Sequence, residues 1–329
     1  MIVKIVALTH HLILPDAFKR KKFSVPNFPE IRLEKNGDQL NFINEHMRYE
    51  LGNMQIEEIK NNACFYTVTT LEEKDSGHFE QVFRNLVGSF IDSLWLIKDN
   101  SISSDYEFCR FDNGKSHYTR RAFINSNSHC EYIDVKFDKN ELEDAIKWFN
   151  LLSKPRKSLS KINSFSEGKL EYNDGIINMD KNFSYENTNR FERALRFISV
   201  ARKQTVLQPR ITYYISAIES LLSTTDSELR MQVADRGARI LGGGYEEKLR
   251  IKNIIGIAYS FRSKYIHGAV SSQKSMKKNL KFLESVEELS EEMDEILREL
   301  IKLFLTDLKH VVLLDEREFI NWVDELLYK

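Results

Sequence analysis

The sequence predicts an α+β chain in two parts: a strand-rich, mixed domain over residues 1–152 and an all-α helical bundle over residues 189–329. Three observations carry this. Short apolar runs bounded by turn residues crowd the first 135 positions. The hydrophobic period changes to that of helices from residue 189 onward. Between them, residues 153–188 are polar and rich in Ser, Asn and Lys, the composition of a linker, with one hairpin expected around Asn173-Asp174-Gly175. A chain of 329 residues is long enough for two separate cores.

In the first part, strands are expected from IVKIVAL at the start, from IRLEKNGDQLNFI with a turn at Asn36-Gly37, from CFYTVTT, and from EFCRFDNGKSHYTRRAF with a turn at Asn113-Gly114. One helix interrupts them, because Phe79, Val82, Phe83, Leu86, Val87, Phe90 and Leu94 recur at helical spacing. A shorter helix over ELEDAIKWFNLL ends near Pro155. In the second part, Phe191, Ala194, Leu195 and Ile198 form one stripe. Pro209 punctuates, and Ile211, Tyr214, Ile215, Ile218, Leu221 and Leu222 form the next. Ser223-Thr224-Thr225-Asp226 reads as a turn and cap for a helix with Leu229, Val233 and Ile240. Gly242-Gly243-Gly244 stops that helix; without a following Lys-Ser/Thr or a preceding strand it is not a phosphate loop. A helix over 246–267, a long amphipathic one from Met293 to Leu308 and a short last one complete the chain.

Composition narrows the function classes. Apolar residues are 42% and charged residues 29%, the balance of a water-exposed globular protein. No apolar run reaches the roughly 18 uncharged residues of a membrane span, and the apolar start, with His10 and His11 inside it, reads as a strand rather than a leader. Cys64, Cys109 and Cys130 stand far apart with no CxxC pair, which argues against a zinc site or disulfide framework and fits a reducing cytoplasm. The net charge of −1 hides an asymmetry. Residues 181–267 carry 15 Lys/Arg against 8 Asp/Glu, whereas residues 268–329 carry 9 against 14. Such an excess of base suits a polyanion, and equally suits an ordinary solvated helix surface.

The segment IKNIIGIAYSFRSKYIHG (251–268) holds the chemistry. At 100° per residue, Ile251, Ile254, Ile255, Ala258, Phe261 and Tyr265 form one apolar stripe, with Arg262 inside it and Lys264 on the opposite face. A guanidinium on an apolar face is costly without a partner. Either Arg262 pairs with a carboxylate of a neighbouring helix, Glu219 being the candidate, or it faces a phosphate. His267 falls about 140° away from Arg262 on an ideal helix. The two meet only if the helix ends before His267, for which Gly268 is a suitable terminator, or if a second subunit completes the pair. The spacing Arg-x-x-x-x-His alone carries little weight. Arg110 and His117 fit a looser six-residue gap and flank the Asn113-Gly114 turn, where they read as hairpin surface residues.

Three segments in order, AIESLLS (217–223), MQVADRGARILGG (231–243) and YSFRSKYIHG (259–268), resemble the ApeA-like branch of the HEPN superfamily. The resemblance covers about 190–310 and leaves 1–150 unassigned. It implies a four- or five-helix bundle that dimerises about a twofold axis, with Arg and His of both subunits in one cleft. It also implies metal-independent RNA cleavage, often by toxins or anti-phage effectors. Carried over by position, Arg262 and His267 are the catalytic pair, Ser263 the polar residue between them, and Tyr259 and Glu219 supporting positions. Arg236, Arg239 and Lys264 are candidate RNA contacts.

The residue types suit the reaction. An imidazole can take the proton of the RNA 2′-OH or protonate the leaving 5′-oxygen, and a guanidinium can neutralise charge on the scissile phosphate. The expected products are a 2′,3′-cyclic phosphate and a 5′-hydroxyl, with no metal or cofactor. RNA, a second copy of the chain, and a regulatory partner or phage trigger are the expected partners; a membrane is not. The alternative function is a non-catalytic HEPN module that binds a partner or nucleotide. The amino-terminal domain is expected to sense or regulate, or else to serve as a second structural platform.

Overall fold

The computed structural model of the chain describes residues 1–15, 18, 20–25, 28–35, 37, 45–70, 72, 76–120, 124–153, 188–225, 227–268, 280 and 282–328. Two compact units emerge, Met1–Ser153 and Lys154–Lys329. The first is a mixed α/β unit and the second, over its described residues, is helical. The fold is therefore α+β, with the strands, among the described residues, in the first unit. The expected hairpin at Asn173-Asp174-Gly175 lies outside the described residues.

The first unit contains β1 (Ile2–Leu8), β2 (Leu12–Ile13), β3 (Arg20–Val25), β4 (Phe28–Glu34), α1 (Glu45–Asn61), β5 (Cys64–Thr70), α2 (Ser76–Ile97), β6 (Tyr106–Phe111), β7 (Ser116–Arg120), β8 (Val135–Lys136) and α3 (Lys139–Leu152). Six strands form an antiparallel sheet in the order β3-β4-β5-β1-β6-β7, and β2 pairs with β8 in parallel. β1 sits between β5 and β6, with Ile5 opposite Thr67 on one side and Cys109 on the other. Its alternate residues serve two cores. Val3, Ile5 and Ala7 join Phe83 and Phe90 of α2 and Phe149 of α3, whereas Val6 and Leu8 meet Ile59 of α1, Tyr66 and Phe108. A strand covered on both faces reads as an almost unbroken apolar run, which is why IVKIVAL is legible.

Two elements depart from expectation. The strands are interrupted by α1 as well as α2. Gly52, at φ 79°, kinks α1, so no continuous apolar stripe announces it, and Ile56 and Ile59 are its buried anchors. The partner of β4 is β3, a sheet-edge strand whose Arg20, Lys21 and Lys22 conceal its alternation. Basic residues are common on such edges, where they discourage pairing with other chains. Of the expected Asn36-Gly37 strand pair, β4 supplies the first strand and residues 38–44 lie outside the described residues. The Asn113-Gly114 turn is present, with Gly114 at φ 86° closing the β6–β7 hairpin. Arg110 faces Ser116 and His117 faces Cys109 across that ladder, so both belong to the hairpin.

Just past β1, His10 Nε2 lies 2.5 Å from Asp105 Oδ1, both side chains being largely buried. The hydrogen bond to Asp105 raises the His10 imidazole above its ordinary range; burial and Arg120 oppose this, while the charges of Asp105 and Glu58 add to it. Burial pushes the Asp105 carboxyl up, but the bond and charge of His10 outweigh it and leave it below its ordinary range. A raised histidine stabilises fully below its unfolded value of 6.5 and loses that contribution as pH rises through the folded value. A lowered carboxyl stabilises above its unfolded value of 3.8 and loses the contribution as pH falls. Resistance of wild type to urea should therefore fall as pH rises above about 6.5, and His10→Asn should flatten that limb; an unchanged slope in the variant would rule the pair out as its source.

The second unit contains α4 (Arg190–Ala201), α5 (Leu207–Leu222), α6 (Leu229–Leu241), α7 (Tyr245–Ile266), α8 (Val286–Leu305) and α9 (Glu316–Tyr328). α5 is its centre, packing against α4, α6, α7 and α8. Ile211, Tyr214, Ile215, Ile218, Leu221 and Leu222 are all fully buried. Pro209 falls within the first turn of α5 rather than before it, where its missing N–H costs nothing. α6 starts not from a Ser/Thr/Asp cap but at Glu228, in left-handed backbone with no side-chain cap bond. Ser223 instead ends α5, while Thr224 and Thr225 are bonded to Gln232 of α6. Gly242 ends α6 as expected, though in extended backbone; a Cβ there would press on Ala238 O and on Lys248.

A buried polar network pins α8 to α5. Tyr214 donates its hydroxyl to Asp294 Oδ1 at 2.8 Å, Arg298 Nε lies 3.1 Å from Asp294 Oδ2, and Arg210 Nη1 lies 3.3 Å from the Tyr214 hydroxyl. Asp294 is 1% exposed and Arg210 0%. Asp294→Ala should cost about 3–5 kcal/mol in chemical denaturation, because it leaves buried cations without their carboxylate. A loss below about 1 kcal/mol, the scale of a surface pair, would contradict that account.

Candidate functional site

α7 is apolar through its middle: Ile251, Ile254, Ile255, Ile257 and Ala258 are buried against α5, α6 and α8. The stripe fades after Ala258. Phe261 is only partly buried and Tyr265 is 46% exposed, so Tyr265 does not join the core as the ideal wheel predicts. Arg262 sits at this transition with its side chain 22% exposed. Its Nη1 donates to Glu219 Oε1 of α5 at 3.0 Å, and its Cζ lies 5.4 Å from the centre of the Tyr259 ring. The Tyr259 phenol lies near the same Glu219 carboxylate, close enough for each to influence the other's ionisation. Burial raises the Glu219 carboxyl above its ordinary range, with the charge of Arg262 and the nearby Tyr259 hydroxyl working against it. Burial also raises the Tyr259 phenol, and the Glu219 charge adds to this. Arg262 Nε is buried and has no hydrogen-bond partner among the described residues.

Glu219, Tyr259 and Arg262 thus form one cluster across α5 and α7. His267 is not in it. α7 ends at Ile266, and His267 is its C-cap at φ −84°, ψ 9°, with its N–H still donating to Ser263 O at 3.1 Å. The left-handed turn comes one residue later, at Gly268 (φ 67°), whose N–H donates to Tyr265 O. Gly is the residue that takes this backbone without a Cβ penalty. Since the break follows His267, its Cβ keeps the helical direction, about 140° round from Arg262. The imidazole is exposed and makes no side-chain hydrogen bond or ion pair among the described residues.

The other sequence candidates separate. Ser263 is partly buried next to Arg262, and its carbonyl holds the His267 N–H. Arg239 is exposed on α6, with Nη1 3.4 Å from Leu326 O. Lys264 is partly buried rather than fully solvated. Arg236 is a correction: it is 8% exposed and faces inward. Its guanidinium donates to Leu222 O, Gln232 Oε1 and Thr224 Oγ1, closing the end of α5 and the α5–α6 loop. Those donors are engaged within the bundle, one of them on the Leu222 carbonyl, and are not presented to a polyanion. Orphan carbonyls at a helix end need such donors, and a basic residue two turns into the next helix supplies one here.

No family model matches the chain, and no curated protein or solved structure does.

Beside the cluster lies a cleft of about 670 Å³ between the first turn of α6 and the middle of α7. Arg230, Met231, Lys252, Asn253, Gly256 and Tyr259 line it, with Glu228 at its start. Sequence reasoning missed Arg230 and Asn253. Asn253 carried a faint signal, as a polar residue beside the run Ile251, Ile254, Ile255; Arg230 looked like any helix-surface cation. Among the described residues no group of three His, Cys, Asp or Glu stands together to hold a metal, and no helix is long and apolar enough to cross a membrane.

Arg262→Ala strands a partly buried carboxylate and should cost about 1–3 kcal/mol. The double variant Arg262→Ala/Glu219→Ala should lose less than the sum of the single losses, as coupled neighbours do. Strict additivity in urea denaturation would mean that the ion pair contributes nothing.

Proposed function

We propose that the chain is a metal-independent endoribonuclease of the HEPN type, a toxin or anti-phage defence effector acting in the cytoplasm on RNA. One observation carries the reading: a guanidinium paired with Glu219 beside the Tyr259 ring stands near the end of α7, whose C-cap residue carries an exposed imidazole. In this reading Arg262 steadies the scissile phosphate. His267 moves the proton between the 2′-OH, the leaving 5′-oxygen and water, and Ser263 lies between them. The 2′-oxygen attacks phosphorus, the P–O5′ bond breaks, and the products are a 2′,3′-cyclic phosphate and a 5′-hydroxyl. Because His267 faces away from Arg262 within one chain, the reading requires a homodimer whose twofold axis brings the second copy's pair into the same cleft. A regulatory partner or phage trigger acting through the first unit belongs to the same proposal, and Arg239 and Lys264 remain candidate RNA contacts.

The Glu219 pair itself favours a second reading, a non-catalytic HEPN module that binds a partner or nucleotide. There Arg262 is structural, and its cost of burial is met by Glu219 alone.

Purified protein should cleave RNA in the presence of EDTA and leave cyclic phosphate ends. His267→Ala should reduce the rate by about 10²-fold or more, the scale of general acid–base catalysis, with its unfolding transition unchanged. Cleavage that vanishes with chelator, or that survives His267→Ala, would sink the nuclease reading. An inert wild type that purifies in fixed ratio with another protein would support the second.

A further inference from the structure

We propose that the cleft between α6 and α7 is a nucleotide subsite, with Arg230 taking the phosphate, Asn253 the edge of the base and Met231 and Tyr259 its face. The α7 wall repeats at helical spacing: Lys252, Gly256 and Tyr259 share one face, with Asn253 beside them. Lys252 is matched by Asp235 at 2.6 Å. Arg230 is not matched: it is exposed and makes no ion pair or hydrogen bond among the described residues. Its guanidinium lies across the bare backbone of Gly256, where an added Cβ would stand 3.7 Å from Nε and Nη2. That places a solvent-accessible planar cation along the wall of the cleft, in the form suited to bidentate phosphate contact.

Asn253 is partly buried, and its amide has no hydrogen-bond partner among the described residues. One amide offers both a donor and an acceptor, which matches the paired groups on a base edge. Met231, 52% exposed, supplies a polarizable apolar surface at the mouth. Tyr259 supplies an aromatic wall on which a base can stack. The volume falls within the roughly 300–1,000 Å³ of small-molecule sites. Strain marks the same place: Glu228, at the start of the cleft, is a non-glycine residue at φ 50°, a conformation that persists only where the surroundings enforce it.

The shared chemistry is a nucleoside monophosphate, free or as one residue of an RNA strand. The strand source rests on the nuclease reading, and the binding chemistry does not. In the strand case the cleft holds the nucleotide next to the scissile phosphate, because Tyr259 lies one turn of α7, about 5 Å of rise, from Arg262.

The test is calorimetric titration of the full chain with each of the four ribonucleoside 5′-monophosphates, with inorganic phosphate, and with a 2′-O-methyl hexaribonucleotide that cannot be cleaved. RNA cleavage is measured in parallel. At least one nucleotide should bind more tightly than phosphate. Arg230→Ala should weaken both nucleotide and phosphate about tenfold, the effect of losing one charge-assisted contact. Asn253→Ala should weaken the nucleotide and leave phosphate unchanged. Gly256→Leu, which fills the cleft, should abolish nucleotide binding, and His267→Ala should leave it intact. Competition by the hexamer assigns the strand source; nucleotide binding without competition assigns a free nucleotide. Both support the subsite. It is overturned if no nucleotide binds wild type, if phosphate binds as well as every nucleotide, or if correctly folded Arg230→Ala and Asn253→Ala bind as wild type does. If RNA is cleaved and the subsite fails, the nuclease reading stands alone. If the variants lose nucleotide binding and wild type cleaves nothing, the subsite stands and the nuclease reading falls.

Discussion

A charge taken out of water must be given a partner, and in the helical unit that requirement decides which helices stand together. Asp294 is at once the most deeply buried acid of the bundle and the point where Tyr214 and Arg298 converge. Satisfying it sets the register of α8 against α5. Arg236 does the same for α6 and the end of α5 by donating to Leu222 O. Glu219 and Arg262 tie α7 to α5. Apolar burial alone would allow helices to slide or rotate by a residue with little loss. Unpaired charges would not, because each slip leaves several kcal/mol of desolvation unmet. The candidate site is therefore an extension of the same framework: the pair that could serve chemistry also holds the bundle's end in place.

Much of this was legible in the sequence wherever a single periodicity ruled. The α5 and α8 stripes, the doubly covered β1 and the Asn113-Gly114 hairpin all follow from spacing and turn chemistry. So does the anomaly of Arg262, since a cation inside an apolar stripe announces that something must answer it, and Glu219 was already the nearest candidate. What escaped was set by contacts distant in sequence. Arg236 looks identical to a surface arginine until the end of α5 is brought beside it. α1 escaped because Gly52 divides its pattern, and β3 because an edge strand has little apolar face to show. The start of α6 escaped for a different reason. The Ser/Thr run that resembles a cap is tied up by Gln232, leaving Glu228 in a conformation no propensity favours.

The position of His267 needed the backbone to be seen. Gly268 was a reasonable terminator, and the helix does end there, but a terminator redirects the chain after itself. The residue before it keeps the orientation the helix gave it. A one-residue difference in where the turn falls thus decides whether His267 turns toward Arg262 of its own chain or away from it.

Tyr259 has a consequence of its own. Its ring faces the Arg262 guanidinium, its phenol lies near Glu219, and it walls the α6–α7 cleft. One side chain is thereby common to the candidate site and to the proposed subsite. If filling the cleft restrains that ring, it changes the freedom of the guanidinium, and linkage makes the effect mutual. Whatever factor a cleft ligand applies to anion affinity at Arg262, an anion there applies to the cleft. A ligand in the cleft and an anion at Arg262 would then be linked through a single phenol, and a change that tunes one would shift the other.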